Sequence, residues 1–468
     1  MALTRRELLA GAAVSALAGA GVYELVDRLG RSPKRAAAAG FPPEQHVLEG
    51  LRIVDDRGIE VVVPPLHHRI VTAKVRVDGG RSSLVEARRQ LARTLAGLEH
   101  SQPPTPAGLG ITLGWGVPYF DRYVPGPAEQ HIPVDLRASR AQGKTVRALT
   151  ASIRFPSDPP SAILEQNDVA ILLRSDDSST VTEAAKEILA LDSLEPTSVR
   201  IGFAGGGFDG GMSLPKRMAL AAGVPGADLV PKAAELFLGF TSTQKAGLGP
   251  PRIANLETLG YTNAKGGYFE GGTHMALSHI LEDLEGWYLT FDFSDRVDTT
   301  FRPGLRVKEG TQTVAQGPAE VSTAAQVARD FHSRGTIGHS SSIQPTSRLD
   351  ADVRGSDGTL YRKGTAIPHR ADFNTLDNPF AWSSHPRVDR MSSDPAAGVH
   401  FVVFNPTSDD FRRNRLAMDG VLPDGTRLPF ERGARGQGLN SVLTTTHRQN
   451  FLVPPRRHRS FPLVELLP

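Results

Sequence analysis

The 468-residue sequence contains no cysteine. Disulfides, thiolate-bound zinc, iron–sulfur clusters, covalent c-type haem attachment and thiol nucleophiles are therefore excluded, and any metal or cofactor has to be held by His, Asp, Glu, Tyr or Met. Aromatic residues make up only 6% of the chain, and no segment beyond the N-terminus is long and apolar enough to span a bilayer. A dominant charge sign is also lacking. The 53 Lys and Arg against 50 Asp and Glu leave a formal net charge of +3, which argues against a disordered polyelectrolyte and a strongly basic nucleic-acid binder. Three familiar motifs are missing: the G-x-x-x-x-G-K-[ST] phosphate loop, the H-E-x-x-H zinc helix and the G-x-S-x-G nucleophile turn. Glycine (47) and proline (35) are abundant, a composition of long loops rather than of a helical bundle. The length predicts two or three domains with core enough to fold without staples.

Residues 1–40 read as an address. Thr4-Arg5-Arg6-Glu7-Leu8-Leu9 is a twin-arginine signal, and a mildly apolar run rich in Ala and Gly follows from Leu8 to Tyr23. That run is shorter than the roughly 20 residues needed to cross a membrane. Basic residues (Arg28, Arg31, Lys34, Arg35) precede Ala36-Ala37-Ala38-Ala39, an A-x-A-type cleavage site. The sequence therefore predicts an exported protein, periplasmic, cell-surface or extracellular, with no membrane contact in its mature form. An uncleaved N-terminal helix or signal-anchor is the competing reading.

Periodicity organises the rest. Arg69 to Asp78 alternates, with Val71, Ala73, Val75 and Val77 on one face, and predicts a strand. Ser83-Leu84-Val85-Glu86 has the form of a capping box opening a helix whose Leu84, Leu91, Leu95 and Leu98 share a side. Strands at Gly110–Trp115, Val169–Leu173 and Ser198–Phe203 and a helix at Ser179–Leu191 complete a β-α-β-β-α-β order, interrupted by a Pro-rich excursion from Pro118 to Pro160. That is the ferredoxin-like order. The second half repeats it in part: a strand at Thr273–Ile280, a helix at Val321–His332, a strand at Val399–Phe404, a helix at Ser408–Met418 and a closing strand at Asn450–Val453. The fold class predicted is α+β, with two ferredoxin-like domains at 41–222 and 223–468. Residues 336–395 read as one long loop, the kind of segment that carries function.

Individual residues give weaker signals. The glycine run from Gly202 to Gly211, with Asp209 inside it, reads as a flexible turn, since it lacks a lysine and no helix pattern begins at its end. His274 and His279, five apart on a strand, fall on opposite faces and read as half-exposed strand residues. His67 and His68, beside Pro64-Pro65, read as surface. His369 lies in Gly364-Thr365-Ala366-Ile367-Pro368-His369-Arg370-Ala371-Asp372 inside the long loop, followed by Arg387 and Arg390. Taken alone, a loop histidine is more often solvated than a ligand.

Five ordered stretches shift that balance. Gly110-Ile111-Thr112-Leu113-Gly114-Trp115-Gly116-Val117-Pro118-Tyr119-Phe120-Asp121 is similar to the glycine-bearing strand and "slFD" turn of the dye-decolourising haem peroxidases. Leu236-Phe237-Leu238-Gly239-Phe240 resembles their "NLfGF" segment, and Gly271-Gly272-Thr273-His274 with the later Trp287 resembles their GGSY strand and downstream tryptophan. Gly398 to Phe404 is similar to "GLLFIAF", and Phe451-Leu452-Val453-Pro454-Pro455 to "YFFVPP". The resemblance spans most of the mature chain and implies two facing ferredoxin-like domains.

The resemblance also implies haem b as cofactor, hydrogen peroxide and a bulky organic reductant as partners, and no nucleic acid; it leaves a homo-oligomer open. It puts His369 at the proximal iron ligand, where a hydrogen bond from its second nitrogen to a carboxylate makes the imidazole more electron-rich. Arg387 falls at the distal arginine, with Arg390 the alternative if the alignment slips by three. There a permanent guanidinium charge stabilises charge developing as the O–O bond breaks. Arg370 is placed to meet a haem propionate. The family's distal Asp is replaced by Ser242 in Gly239-Phe240-Thr241-Ser242-Thr243, and a serine is a poor base near neutrality. Three readings follow: an exported haem peroxidase, a non-catalytic haem-binding or haem-handling protein of the same fold, and an interaction module whose haem site is lost.

Overall fold

Strands from both halves of the chain close into one barrel. The computed structural model describes residues 40–56, 58–205, 211–241, 267–314, 322–349, 351–354, 358, 360–377, 379–382 and 394–468, together with Tyr23 and Val26. A hairpin, β1 (Arg52–Asp56) with β2 (Ile59–Val63), precedes the first ferredoxin-like unit. That unit runs β3 (His67–Val75), α1 (Arg81–His100), β4 (Gly110–Gly116), short helices α2 (Val117–Tyr123), α3 (Pro125–His131) and α4 (Leu136–Gln142), β5 (Ile163–Leu164), β6 (Val169–Ser175), α5 (Ser178–Leu189) and β7 (Leu194–Phe203). Helix α6 (Leu214–Ala222) leads to the second unit. It runs β8 (Thr273–Glu282), α7 (Leu284–Thr290), α8 (Phe293–Thr300), α9 (Ala324–Arg334) and α10 (His339–Ile343). The short strands β9 (Val353–Arg354), β10 (Leu360–Tyr361), β11 (His369–Arg370) and β12 (Phe373–Thr375) follow, then α11 (Pro379–Trp382), β13 (Gly398–Asn405), α12 (Ser408–Met418) and β14 (Leu443–Val453).

The first unit pairs in the order β7-β3-β6-β4 and the second in the order β14-β8-β13-β12, every pair antiparallel. Each is the 4-1-3-2 order of a ferredoxin-like sheet. The ring closes at two seams, β4 with β14 and β7 with β12. The first seam carries two register pairs, Gly116–Phe451 and Trp115–Leu452, and the second only Asn374–Phe203.

Because side chains alternate along a strand, each strand has an inner and an outer set. Ile70, Ala170, Leu172, Met275, Leu277, Phe373, Val402, Phe404, Phe451 and Val453 form one buried cluster inside the barrel. On the outside of the first unit, Val71, Ala73, Val75, Ile111, Leu113, Trp115, Ile171 and Leu173 pack on Leu84, Leu91, Leu95, Val181 and Ile188 of α1 and α5. The interior is too tight for β4 to carry side chains at two of its inward positions, Gly110 and Gly114. A Cβ on Gly114 would lie 2.8 Å from Phe451 Cβ, and one on Gly110 2.5 Å from Leu48 Cδ2.

Several expectations are corrected. His67, His68, His274 and His279 are all buried, neither surface nor half-exposed; His274 and His279 do face opposite ways. The stretch 336–395 holds α10, four two- or three-residue strands and α11. The helix expected from Ser83 starts at Arg81 behind Gly80, with no side-chain cap, since Glu86 instead accepts from Gln90 Nε2 at 2.9 Å along the helix. The helix expected at Val321–His332 runs from Ala324 to Arg334, with Val327 and Asp330 buried.

Candidate functional site

The outer face of β8, β13 and β14 packs on α12 through Ala276, Phe401 and Val403 and is otherwise partly open. Between that face and α10, α12 and the segment 236–241 lies a cavity with about 1390 Å³ of atom-free space, its mouth included. Its walls are mostly apolar, with Leu236, Leu238, Phe240, Val399, Phe401 and Phe411 among them. Val399 and Phe401 reach it because they are the outward residues of β13, whose inward His400, Val402 and Phe404 fill the barrel.

One imidazole opens on this space, that of His339. Gly338 sits so close to Phe301 that a Cβ would lie 2.3 Å from its carbonyl oxygen, and Ser341 N–H donates to the same oxygen at 2.9 Å. Those contacts fix the start of α10. Thr346 Oγ1 donates to Asn414 Oδ1 at 2.7 Å and Arg413 Nη2 to the Thr346 carbonyl at 3.0 Å, tying the segment to α12. His339 Nδ1 is buried and has no hydrogen-bond partner. Burial, with Arg370 and Arg415 nearby, lowers its pKa to about 4, so the ring is neutral over the physiological range.

Three arginines and two carboxyls give the cavity its polarity. Arg448 is fully buried and paired with Asp158, its Nη2 donating to Oδ1 at 2.9 Å. Arg415 Nη2 donates to Ser157 Oγ at 2.8 Å, and Arg370 lines the wall from β11. Glu282 and Asp372 also line it. Burial, and then the neighbouring Asp372, raises Glu282 to about 8; burial raises Asp372 against the pull of Arg370. Glu282 Oε2 has no hydrogen-bond partner, as suits a carboxyl that is protonated at neutral pH.

The residues singled out in the sequence divide sharply. Arg370 reaches the cavity. His369, one residue earlier, faces the other way: it pairs with Phe404 of β13, is fully buried in the barrel and does not line the cavity. Its ring centroid lies 5.6 Å from that of His46 and 5.1 Å from that of Phe404, and neither ring nitrogen has a partner. Ser242, Arg387, Arg390 and Asp209 lie outside the described residues. Thr241, immediately before Ser242, is on the cavity wall. Sequence reasoning passed over His339, Glu282 and Asp372; the only signal for His339 was the glycine before it. Among the described residues no group of three or more His, Asp and Glu is arranged to hold a metal ion, and no helix is long and apolar enough to cross a membrane.

Residues 65–455 match the family of unknown function DUF7405. The chain belongs to that family. No curated protein matches it by sequence. Among solved structures, DtpA from Streptomyces lividans, determined as an oxyferrous complex, superposes with a TM-score of 0.51 at 15% identity, over 91% of this chain and 96% of that one. A DyP-type peroxidase from Cellulomonas bogoriensis matches at 17% identity and TM-score 0.48, over 88% and 96%. A DypB variant from Rhodococcus jostii RHA1, solved with haem, matches at 13% identity and TM-score 0.46, over 85% and 96%. This member of DUF7405 thus shares the fold of DtpA.

Proposed function

We propose that this chain is an exported haem-dependent peroxidase that oxidises bulky organic reductants with hydrogen peroxide. The observation that carries the reading is the cavity with a neutral, accessible imidazole whose buried Nδ1 is unpartnered. The residues present fit a haem b. His339 would hold the iron, in the role that the family resemblance implied for His369. The apolar side chains of β13 and segment 236–240 would cover the porphyrin, and Arg370 and Arg415 would meet its propionates through charge-assisted hydrogen bonds. When bound, haem supplies the electron transfers between peroxide and reductant.

The chain's own contribution is proton handling and water exclusion. With Ser242 where the related peroxidases carry an acid, Glu282 is the cavity's available proton store, holding its proton on an unpartnered carboxyl oxygen at neutral pH. Arg387, or Arg390, is the proposed distal cation. Removing one acid/base group typically lowers a rate by roughly 10²–10⁴-fold. The serine at position 242 therefore favours a second reading, haem binding without turnover. Peroxide-dependent oxidation of an anthraquinone dye by the haem-loaded full chain decides between them. Turnover well above an equal concentration of free haem supports the peroxidase. Turnover at the free-haem level leaves the binding protein.

A further inference from the structure

Two residues of the N-terminal segment are seated in the folded protein. Tyr23 and Val26, three residues apart in sequence, are both helical. Val26 is fully buried in a cluster with Phe203, Leu214, Met218 and Leu376. The Tyr23 ring packs 6.3 Å from that of Phe203. Its hydroxyl accepts from Leu376 N–H at 3.1 Å, lies 3.3 Å from Thr375 Oγ1 and 3.5 Å from the Ile201 carbonyl, and also bonds to the Asp377 carboxyl. Ile201 belongs to β7 and Thr375 to β12. Tyr23 therefore reinforces the seam that is closed by the one ladder pair Asn374–Phe203 and by Thr375 Oγ1 donating to the Ile201 carbonyl at 2.8 Å. Phe237, in the same cluster, is flanked in sequence by the cavity-wall residues Leu236 and Leu238.

We propose that this segment is a strap on the β7–β12 seam, and that it stays bound to the folded protein even when the chain is cut near Ala36–Ala39. This rests on the exported reading proposed above: cargo of the twin-arginine route crosses already folded, so the strap would be docked before any peptidase meets the cleavage site. Taking it away would uncover Phe203, Met218 and Leu376 and leave the Leu376 N–H without its acceptor. The occupant is this chain's own segment.

The test uses the full chain carrying a specific protease site within residues 31–36. It is purified intact, cut, passed through a sizing column under native conditions, and its fractions are read by mass spectrometry. The N-terminal fragment is expected to co-elute with the body one to one, and Val26→Asp to release it. Tyr23→Phe, a milder change should Val26→Asp not fold, is expected to speed release by about tenfold, the scale of one hydrogen bond. Separate elution of the wild-type fragment, or co-elution unaffected by both substitutions, overturns the proposal.

Discussion

At residue scale, the site turns on which face of a two-residue strand each side chain takes. Successive residues on a strand point to opposite sides. The pairing of His369 with Phe404 thus sends Arg370 to the cavity and His369 into the barrel. The register that assigns the faces was not legible in the sequence, because β11 is too short to show alternation. Two further residues carry predictions. Asp158 and Arg448 are 1% and 2% exposed and paired. Asp158→Ala leaves a buried guanidinium without its counter-charge, and we expect a loss of about 3–5 kcal/mol in urea unfolding; a loss below about 1 would show that Arg448 finds water. Glu282 has its folded pKa raised from 4.5 to about 8. Its contribution is fully present below pH 4.5 and is lost as pH climbs through 8. Glu282→Gln is therefore expected to gain on the wild type between pH 5 and pH 9, by on the order of 1–2 kcal/mol after allowance for its opening on the cavity. An equal difference at both pH values would contradict this.

At the scale of elements, strands with apolar alternation were readable, and those whose inner face is polar were not. β14 was expected only over Asn450–Val453 but begins at Leu443. Its polar residues pair along β8, where the barrel interior accommodates them: Gln449 Oε1 accepts from Asn167 N–H at 2.9 Å, and His279 Nδ1 lies 2.7 Å from Thr446 Oγ1. α10, at five residues, is shorter than any helical pattern can reveal, which is why His339 was missed. The glycines of β4 were legible as a motif, and their reason is contact. Gly114→Val would drive a side chain into Phe451 and Met275, and a destabilisation of about 1–3 kcal/mol or more is expected in chemical denaturation. Wild-type stability in that variant would mean the barrel interior is looser than described.

At the scale of the whole molecule, six imidazoles among the described residues are kept neutral, five of them fully enclosed and His339 at the cavity wall: His46, His274, His279, His339, His369 and His400 all have pKa values pushed down chiefly by burial. A histidine whose folded pKa lies below its unfolded 6.5 costs stability as pH falls below 6.5, by up to about 1.4 kcal/mol per pH unit for each ring, until the folded pKa is reached. Glu282, Asp372 and Asp377, raised by burial, act in the opposite direction, but they are fewer. The melting temperature is expected to fall continuously from pH 6.5 to pH 4, and a flat profile would contradict the buried neutral state. The duplicated architecture was legible because each half repeats one strand order. The closure was not, since a single ladder pair joins β7 to β12.

Titration of haem b into the full chain, followed by its Soret absorption, tests the central claim most directly. Stoichiometric binding with a band that His339→Ala shifts or abolishes, while His369→Ala leaves it in place, is the predicted result. A band that survives His339→Ala and disappears in His369→Ala would contradict the account, and so would the absence of any stoichiometric binding.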